Sequence, residues 1–279
     1  MVKIISDTST LYSTQEALEK GISIVPLNII VEQHSYKDLD ELSSSALLAM
    51  IKNKKIPTSS QPSLGEKQRL YAQESKKGEI LDITMAQGLS GTYDSACLAK
   101  NLIDSNENIF VFNSKTLCGP HRALVDRANQ LNQKGYTAAQ IIEKLTPCVD
   151  SECSFLIPRD FSYLNRGGRV SNFEAHIGGF LKLVPTMKKS KDGSHLEMFG
   201  ITKTFKKAIK NIIDEMRKQG VDASYTFYIS HAFNEEEALK AQGWIEESFL
   251  GAKVIVFPLS PAFIVQGGPG CIAIQTIKM

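Results

Sequence analysis

The sequence has few of the features that mark secreted, metal-binding or membrane-spanning proteins. It contains only five cysteines in 279 residues, and none of them form the C-x-x-C spacing of a redox or zinc motif. Its apolar runs are shorter than the ~20 residues that a membrane-spanning helix needs. Its first residues lack the basic and apolar regions of a signal peptide. We therefore expect a protein of the reducing cytoplasm, without stable membrane insertion.

An excess of charge is also missing, because 32 basic residues face 30 acidic ones and the formal net charge is +2. This balance gives no reason to expect a nucleic-acid partner. The sequence has neither a phosphate-binding loop nor a G-x-G-x-x-G motif after its first strand, so a nucleotide cofactor is not expected. Residues 161–210 are locally basic, with ten lysines and arginines against three acidic residues. They form either a solvated positive face or a dock for an acidic or phosphate-bearing partner.

Strand-like and helix-like runs alternate along the chain, which is typical of an α/β fold with mostly parallel sheets. The order of elements changes near residue 150. We therefore predict two α/β domains, residues 1–152 and residues 153–279. In the second domain, residues 181–187 and 195–201 are predicted to form a hairpin across the turn residues Asp192-Gly193.

Three loops carry the candidate chemistry, because ligands of α/β sheets bind beyond the carboxyl ends of the strands. The first contains Ser90-Gly91-Thr92, which offers hydroxyl and backbone N–H groups at a helix start. Simple capping of the helix by either hydroxyl is the alternative. The second loop is the hydroxyl cluster at residues 57–63. The third is Gln266-Gly267-Gly268-Pro269-Gly270, whose glycines allow a ligand to approach the backbone closely.

Together these segments resemble the DegV family of bacterial fatty-acid-binding proteins, and the resemblance runs from the first residue to the last. The closest match is Tyr163-Leu164-Asn165-Arg166-Gly167-Gly168-Arg169-Val170-Ser171, which resembles the family's Tyr-Leu-x-Arg-Gly-Gly-Arg-Ile signature. The family's Thr-Ser-Gln-Pro, Ser-Gly-Thr-Tyr and last Gly-Pro-Gly segments are matched by Ser59-Ser60-Gln61-Pro62-Ser63, Ser90-Gly91-Thr92-Tyr93 and Gly268-Pro269-Gly270.

The resemblance implies a lipid-binding protein that catalyses no reaction and carries no cofactor besides its bound fatty acid. The acyl chain is expected between the two domains, and the carboxylate is expected to contact the hydroxyls of Ser59 and Ser90. The remaining carboxylate-binding candidates are Thr58, Thr92, Lys203, Gln266 and Gly267. The resemblance also implies a separate fatty acid kinase that phosphorylates the presented carboxylate. We expect Arg166 and Arg169 to dock this partner.

The sequence departs from the family pattern at three places. Gln266 stands where the family usually has a histidine, and Lys203 aligns with a usual arginine. Gln266 can donate a hydrogen bond but carries no charge, and Lys203 lacks the guanidinium fork. At a helix start where the family has small residues, this chain has His121. His121 either replaces the missing histidine or is an exposed residue at the helix start.

Two other functions are compatible with these residues. The altered head-group residues suit a different amphiphilic ligand. A serine hydrolase would use Ser90 as the nucleophile and His121 or His231 as the base. The sequence has no G-x-S-x-G elbow, which argues against the hydrolase.

Overall fold

The computed structural model describes residues 1–170, 183–190 and 192–279, so Ser171, residues 181–182 of the predicted hairpin, and Lys191 lie outside the described residues. These residues form two compact units, which we describe separately. The first unit contains Met1–Asp150 and Ser260–Ala262, and the second contains Ser151–Leu259 and Phe263–Met279. The first segment of the first unit ends close to the predicted boundary at residue 152. The sequence did not indicate that Ser260–Ala262 belongs to the first unit.

The first unit alternates strands and helices along most of its length. Its elements are β1 (Lys3–Asp7), α1 (Thr14–Glu19), β2 (Ser23–Val25), β3 (Asn28–Val31), β4 (His34–Lys37), α2 (Ser44–Lys52), β5 (Thr58–Ser60), α3 (Leu64–Glu74), β6 (Ile80–Thr84), α4 (Thr92–Asn101), β7 (Ile109–Asn113), α5 (Cys118–Gln133) and α6 (Ala138–Asp150).

Two sheets organise the first unit. Strands β2, β1, β6 and β7 form a parallel sheet in that order, and β4, β3 and β5 form a small antiparallel sheet. All five residues of β6 are buried, as expected for an inner strand of a parallel sheet that helices cover. The α/β prediction is confirmed here. The loops after β1 and β6 lie at the same edge of the parallel sheet, because neighbouring parallel strands end together.

The second unit begins with a strand and ends with one. Its elements are β8 (Cys153–Ile157), α7 (Phe161–Gly167), β9 (Val184–Lys189), β10 (Leu196–Thr202), α8 (Phe205–Lys218), β11 (Thr226–His231), α9 (Glu235–Ser248), β12 (Lys253–Pro258) and β13 (Ile272–Ile277). Between β12 and β13 the chain forms α10 (Pro261–Gly267), whose first two residues belong to the first unit.

The sheet of the second unit corrects the prediction of mostly parallel strands for this half of the chain. Its order is β10-β9-β8-β13-β11-β12, and only β11 and β12 are parallel. The reason is that the last strand, β13, inserts between β8 and β11 and runs antiparallel to both. The predicted hairpin is confirmed for its described residues, because β9 and β10 pair antiparallel.

Helices α8 and α9 cover one face of this sheet. The buried face of α8 contains Ile209, Ile212, Ile213 and Met216, which pack in one core with Phe227 of β11. This spacing is that of an amphipathic helix. The opposite face of α8 is basic and exposed, with Lys206, Lys207 and Lys210 in its first half. Among the described residues, no helix is long and apolar enough to cross a membrane.

The end of α2 contains a strained residue. Lys54 has a φ of 62°, and its N–H bonds the carbonyl of Ile51 while the N–H of Lys55 bonds that of Met50. These two bonds form the Schellman motif, in which glycine is usual at the position of Lys54. We expect Lys54→Gly to raise the free energy of unfolding by about 1 kcal/mol, measured by chemical denaturation.

The matched control for this change is Lys52→Gly, two residues earlier in the chain. Lys52 is also exposed, but it has helical geometry as the last residue of α2. The same substitution there should lower stability, by up to about 1 kcal/mol. Equal effects at the two positions would show that the backbone angle of Lys54 is not strained.

Candidate functional site

Ser90 and Thr92 lie at the start of α4, after β6 and a short 3-10 turn at Gln87–Leu89. The Ser90 hydroxyl lies 2.8 Å from that of Thr92 and accepts a 3.3 Å hydrogen bond from the Thr92 N–H. Gly91 is the N-cap residue and has no side chain to satisfy the helix. Thr92 is buried and Ser90 is half-buried, so Ser90 is the more accessible of the two hydroxyls.

The Ser59-Gln61 segment lies against this helix start. Strand β5 pairs with β3, and Ser59 is opposite Ile29. A Cβ atom on Gly91 would overlap Oε1 of Gln61, so the end of the Gln61 side chain occupies the space that a larger residue at position 91 would need. The two loops that were predicted to share a site therefore come together within the first unit.

Thr58 and Ser59 do not present their hydroxyls to the same side. Successive side chains of a strand point to opposite faces of its sheet, and both residues belong to β5. Thr58 is exposed, whereas Ser59 is half-buried. A ligand that contacts the hydroxyl of one of them from β5 does not contact that of the other.

A buried charged cluster lies behind these two loops. Lys67 of α3 donates to Asp82 of β6 with an Nζ–Oδ2 distance of 2.5 Å, and the Tyr71 hydroxyl donates to the same oxygen. All three side chains are fully buried. Burial and the neighbouring carboxylate raise the pKa of Tyr71 well above its usual value. The sequence analysis missed this cluster, although an aspartate inside the apolar run Ile80–Thr84 was a signal for it.

His121 is fully buried, which excludes the alternative of an exposed residue at the helix start. Its Nδ1 lies 2.5 Å from the hydroxyl of Ser9, and its Nε2 lies 3.2 Å from that of Ser6 and 3.1 Å from the carbonyl of Ile83. Burial lowers the pKa of His121, against the opposing effect of Asp7. Both ring nitrogens are thus engaged inside the unit.

The two histidines of the hydrolase hypothesis have hydrogen-bond partners within their own units. His121 bonds Ser6, Ser9 and Ile83, as just described, and His231 of the second unit accepts a 3.2 Å bond at Nδ1 from the N–H of Asn234. His121, the candidate base in the same unit as Ser90, thus has both ring nitrogens engaged with other groups.

In the second unit, Gln266 meets the glycine pair of the Arg166–Arg169 turn. A Cβ on Gly167 would overlap Oε1 of Gln266, and Gly168, with a φ of 68°, ends α7. The guanidinium of Arg169 donates to the carbonyl of Gly167. Gln266 and Arg169, which the sequence analysis gave separate roles, therefore lie around the same turn.

Arg166 and Arg169 differ in exposure. Arg166 is exposed, and its guanidinium lies 4.4 Å from the centre of the Tyr163 ring. Arg169 is half-buried and its backbone carbonyl accepts a 2.8 Å bond from Leu196. Arg169 thus stabilises the turn, whereas Arg166 presents its charge to solvent.

The glycines after Gln266 are packed against side chains. A Cβ on Gly267 would lie 2.7 Å from the sulfur of Cys271, and one on Gly268 would lie 2.8 Å from the Tyr163 ring. Gly268 and Gly270 also have φ values of 81° and 83°. The absence of a side chain at Gly267 therefore allows close packing.

Lys203 lies between β10 and the N-cap of α8 and is exposed. Within the described ranges, no group of His, Cys, Asp or Glu side chains has the arrangement of a metal site.

Comparisons with known proteins identify relatives over the whole chain. The family model described as "Uncharacterised protein, DegV family" matches residues 1–279. Protein DegV of Bacillus subtilis is 30% identical over 246 residues, which cover 86% of this chain and 85% of that protein.

Two solved structures have the same fold. The crystal structure described as DegV, a fatty acid binding protein from Bacillus subtilis, has a TM-score of 0.84 and 25% identity, covering 100% of this chain and 99% of that one. The structure described as fatty acid binding of a DegV family protein from Thermus thermophilus has a TM-score of 0.89 and 20% identity, with the same coverage.

We expect Lys67→Met to lower the free energy of unfolding by about 3–5 kcal/mol, because it leaves Asp82 as an unpaired buried charge. Chemical denaturation measures this change. The control is Lys77→Met, which removes an exposed ion pair with Glu74 and should cost less than about 1 kcal/mol. Similar losses for both variants would mean that Asp82 is not stabilised by Lys67.

Proposed function

Because the chain belongs to the DegV family, we propose that it binds one long-chain fatty acid and presents the carboxylate to a fatty acid kinase in the cytoplasm. It catalyses no reaction itself. The observation that carries this proposal is the hydroxyl pair of Ser90 and Thr92 at the start of α4, joined by Gln61 in the first unit. The relatives described as fatty acid binding support the choice of ligand.

The start of α4 suits a carboxylate for electrostatic reasons. Helix α4 is ten residues long, and its first N–H groups and positive dipole end favour an anion. Gly91 supplies no side-chain cap, so a ligand oxygen can take that role. Because a carboxylate that leaves water needs hydrogen bonds to offset its desolvation, we assign the Ser90 hydroxyl as the principal donor.

The other head-group residues have supporting roles in this proposal. Ser59 and Gln266 add hydrogen-bond donors, Thr92 orients the Ser90 hydroxyl, and Gly267 allows the backbone to pack closely. Lys203 is exposed, so we assign it to the rim of the site. Thr58 points to the face of β5 opposite to that of Ser59, so we give it no contact with the carboxylate. Burial of roughly 14 methylenes contributes on the order of 11 kcal/mol before ordering costs. The polar residues therefore determine orientation more than affinity.

For the partner we propose Arg166 as the main docking residue, with Arg169 as its structural support. Arg166 is exposed on a turn, and the exposed lysines of α8 extend the basic character of this unit. An acidic surface of a kinase would be attracted to such a region. Arg169 bonds its own turn, so its loss would disturb the turn as well as the charge.

Native mass spectrometry of the protein purified from cells, before and after addition of palmitate, tests the proposed ligand. We expect one fatty acid per chain. Absence of the adduct in both samples would reject the proposal, and a different co-purifying amphiphile would favour an altered ligand.

Fluorescent fatty-acid titration then tests the head-group assignment. We expect Ser90→Ala to weaken binding by about 10–150-fold, since it removes one charge-assisted hydrogen bond worth roughly 1.5–3 kcal/mol. Gln266→His should bind at least as well as the wild type. The control is Ser105→Ala, an exposed serine beyond the other end of α4, which should leave affinity unchanged. If Ser90→Ala binds like the control, the carboxylate lies elsewhere.

Charge reversal tests the dock. We expect Arg166→Glu to reduce the rate of acyl-phosphate formation with a fatty acid kinase at least tenfold while fatty-acid affinity stays the same, since the change opposes a rim electrostatic contact. Lys76→Glu makes the same charge change at an exposed residue of the first unit and should have no effect. An equal loss of fatty-acid binding in Arg166→Glu would indicate a structural role instead.

A further inference from the structure

We propose that Asp38 is a positioning residue for the head-group site, because its buried carboxylate anchors the start of α10 and so fixes Gln266 and Gly267 at the end of that helix. This inference rests on the proposed function, in which Gln266 and Gly267 belong to the site. Sequence analysis assigned no role to Asp38.

The contacts of Asp38 lie at the first residues of α10. Its Oδ1 accepts a 3.0 Å hydrogen bond from the N–H of Ala262, and its Oδ2 accepts a 2.9 Å bond from the hydroxyl of Ser260. Asp38, Ser260 and Ala262 are all buried and belong to the first unit. The N–H of Ala262 is among the first of the helix, which have no acceptor within it. Asp38 therefore caps α10 from a distant part of the chain.

The chain around Asp38 holds this side chain in a fixed orientation. The Thr8 hydroxyl is a third hydrogen-bond partner of the carboxylate, and the N–H of Asp38 bonds the carbonyl of Leu27 at 2.8 Å. Thr8 in turn accepts a 3.1 Å bond from the N–H of Leu27. Leu39 follows with a φ of 66°, a conformation that a bulky residue adopts only when its surroundings impose it.

A short helix depends on such an anchor. Helix α10 has seven residues, fewer than an isolated helix needs for stability in water. Ala262 and Gln266 are four residues apart and lie on the same side of the helix, one turn from each other. The end of α10 continues into the bond from the Gly268 N–H to the Ile264 carbonyl, at 2.9 Å. A displacement at Ala262 is therefore transmitted to Gln266 and Gly267.

The free energy of unfolding does not explain why the protein has an ionised carboxylate at Asp38. Burial, with a smaller contribution from Asp40, raises the pKa of Asp38 to about 6 against the opposing effect of the bonds from Thr8, Ala262 and Ser260. A carboxyl whose pKa is raised by folding stabilises the protein most below its unfolded value, and this contribution is lost as the pH rises through about 6. At neutral pH the ionised Asp38 therefore contributes less to the free energy of unfolding than its protonated form would. The favourable effect of the charge is local, because a negative charge near the start of α10 interacts with the positive end of the helix dipole.

Hydrogen exchange on the full chain tests the anchor without any ligand. We expect Asp38→Ala to increase exchange at least tenfold in residues 263–268 while β6 stays protected, because only the local bonds of α10 are released. Ser260→Ala, which removes one of the three bonds, should show a smaller increase and serves if Asp38→Ala does not fold. The control is Asp40→Asn, an exposed neighbour that bonds Thr14. Unchanged exchange of α10 in both Asp38→Ala and Ser260→Ala would overturn the proposal.

Palmitate titration tests the link to the site. We expect Asp38→Asn to bind about tenfold more weakly than the wild type at pH 8, as for loss of one charged hydrogen bond. At pH 5 the two proteins should bind alike, because Asp38 is then protonated in the wild type. The ratio of the two affinities cancels the titration of palmitate itself. A ratio that does not change with pH would overturn the proposal. Absence of binding by the wild type would instead reject the proposed function, and hydrogen exchange would still decide whether Asp38 anchors α10.

Discussion

The buried ion pair between Lys67 and Asp82 is the contact on which the candidate site of the first unit depends. Lys67 lies one turn after the start of α3, which follows the Ser59-Gln61 segment directly, and Asp82 lies in β6, which leads to Ser90. The pair therefore joins the two segments that carry the hydroxyls. Because either charge would be costly to bury alone, the separation of these segments is narrowly fixed. At this spacing the side chain of Gln61 lies directly against Gly91, which has no side chain of its own.

In the second unit the polar groups are positioned by glycines. Because glycine has no Cβ atom, other side chains approach its backbone closely. Gln266 approaches Gly167, and the Tyr163 ring packs on Gly268. Positive φ angles at Gly168 and Gly268 set the direction of both turns. Gly268 tolerates an added methyl group least, because it would meet the Tyr163 ring at a positive φ, whereas one at Gly167 would meet the end of the flexible Gln266 side chain. The loops of the two units thus differ in their sensitivity to substitution.

Features that depend on local sequence pattern were predicted correctly. Features that depend on contacts between residues far apart in the sequence were not. The parallel sheet of the first unit and the β9–β10 hairpin follow from alternation and turn residues. The antiparallel sheet of the second unit does not, since β13 pairs with β8 over more than a hundred residues. An exposed residue at a helix start was one of two alternatives for His121, and three buried partners outside its helix exclude it. Asp38 follows a strand with exposed residues, and its partner Ser260 lies 222 positions away.

The starts of helices α4 and α10 differ in what occupies them, and this difference bears on the proposed assignment of the carboxylate to Ser90. The start of α10 is occupied by the carboxylate of Asp38, which offsets its positive end. The start of α4 has Gly91 at its N-cap and no side-chain cap, and the acidic residue of its first turn, Asp94, accepts a 2.8 Å bond from the Gln87 side chain. Of the two helix starts, that of α4 is the one that no carboxylate caps among the described residues. It is therefore the start to which we assign the carboxylate of the proposed ligand.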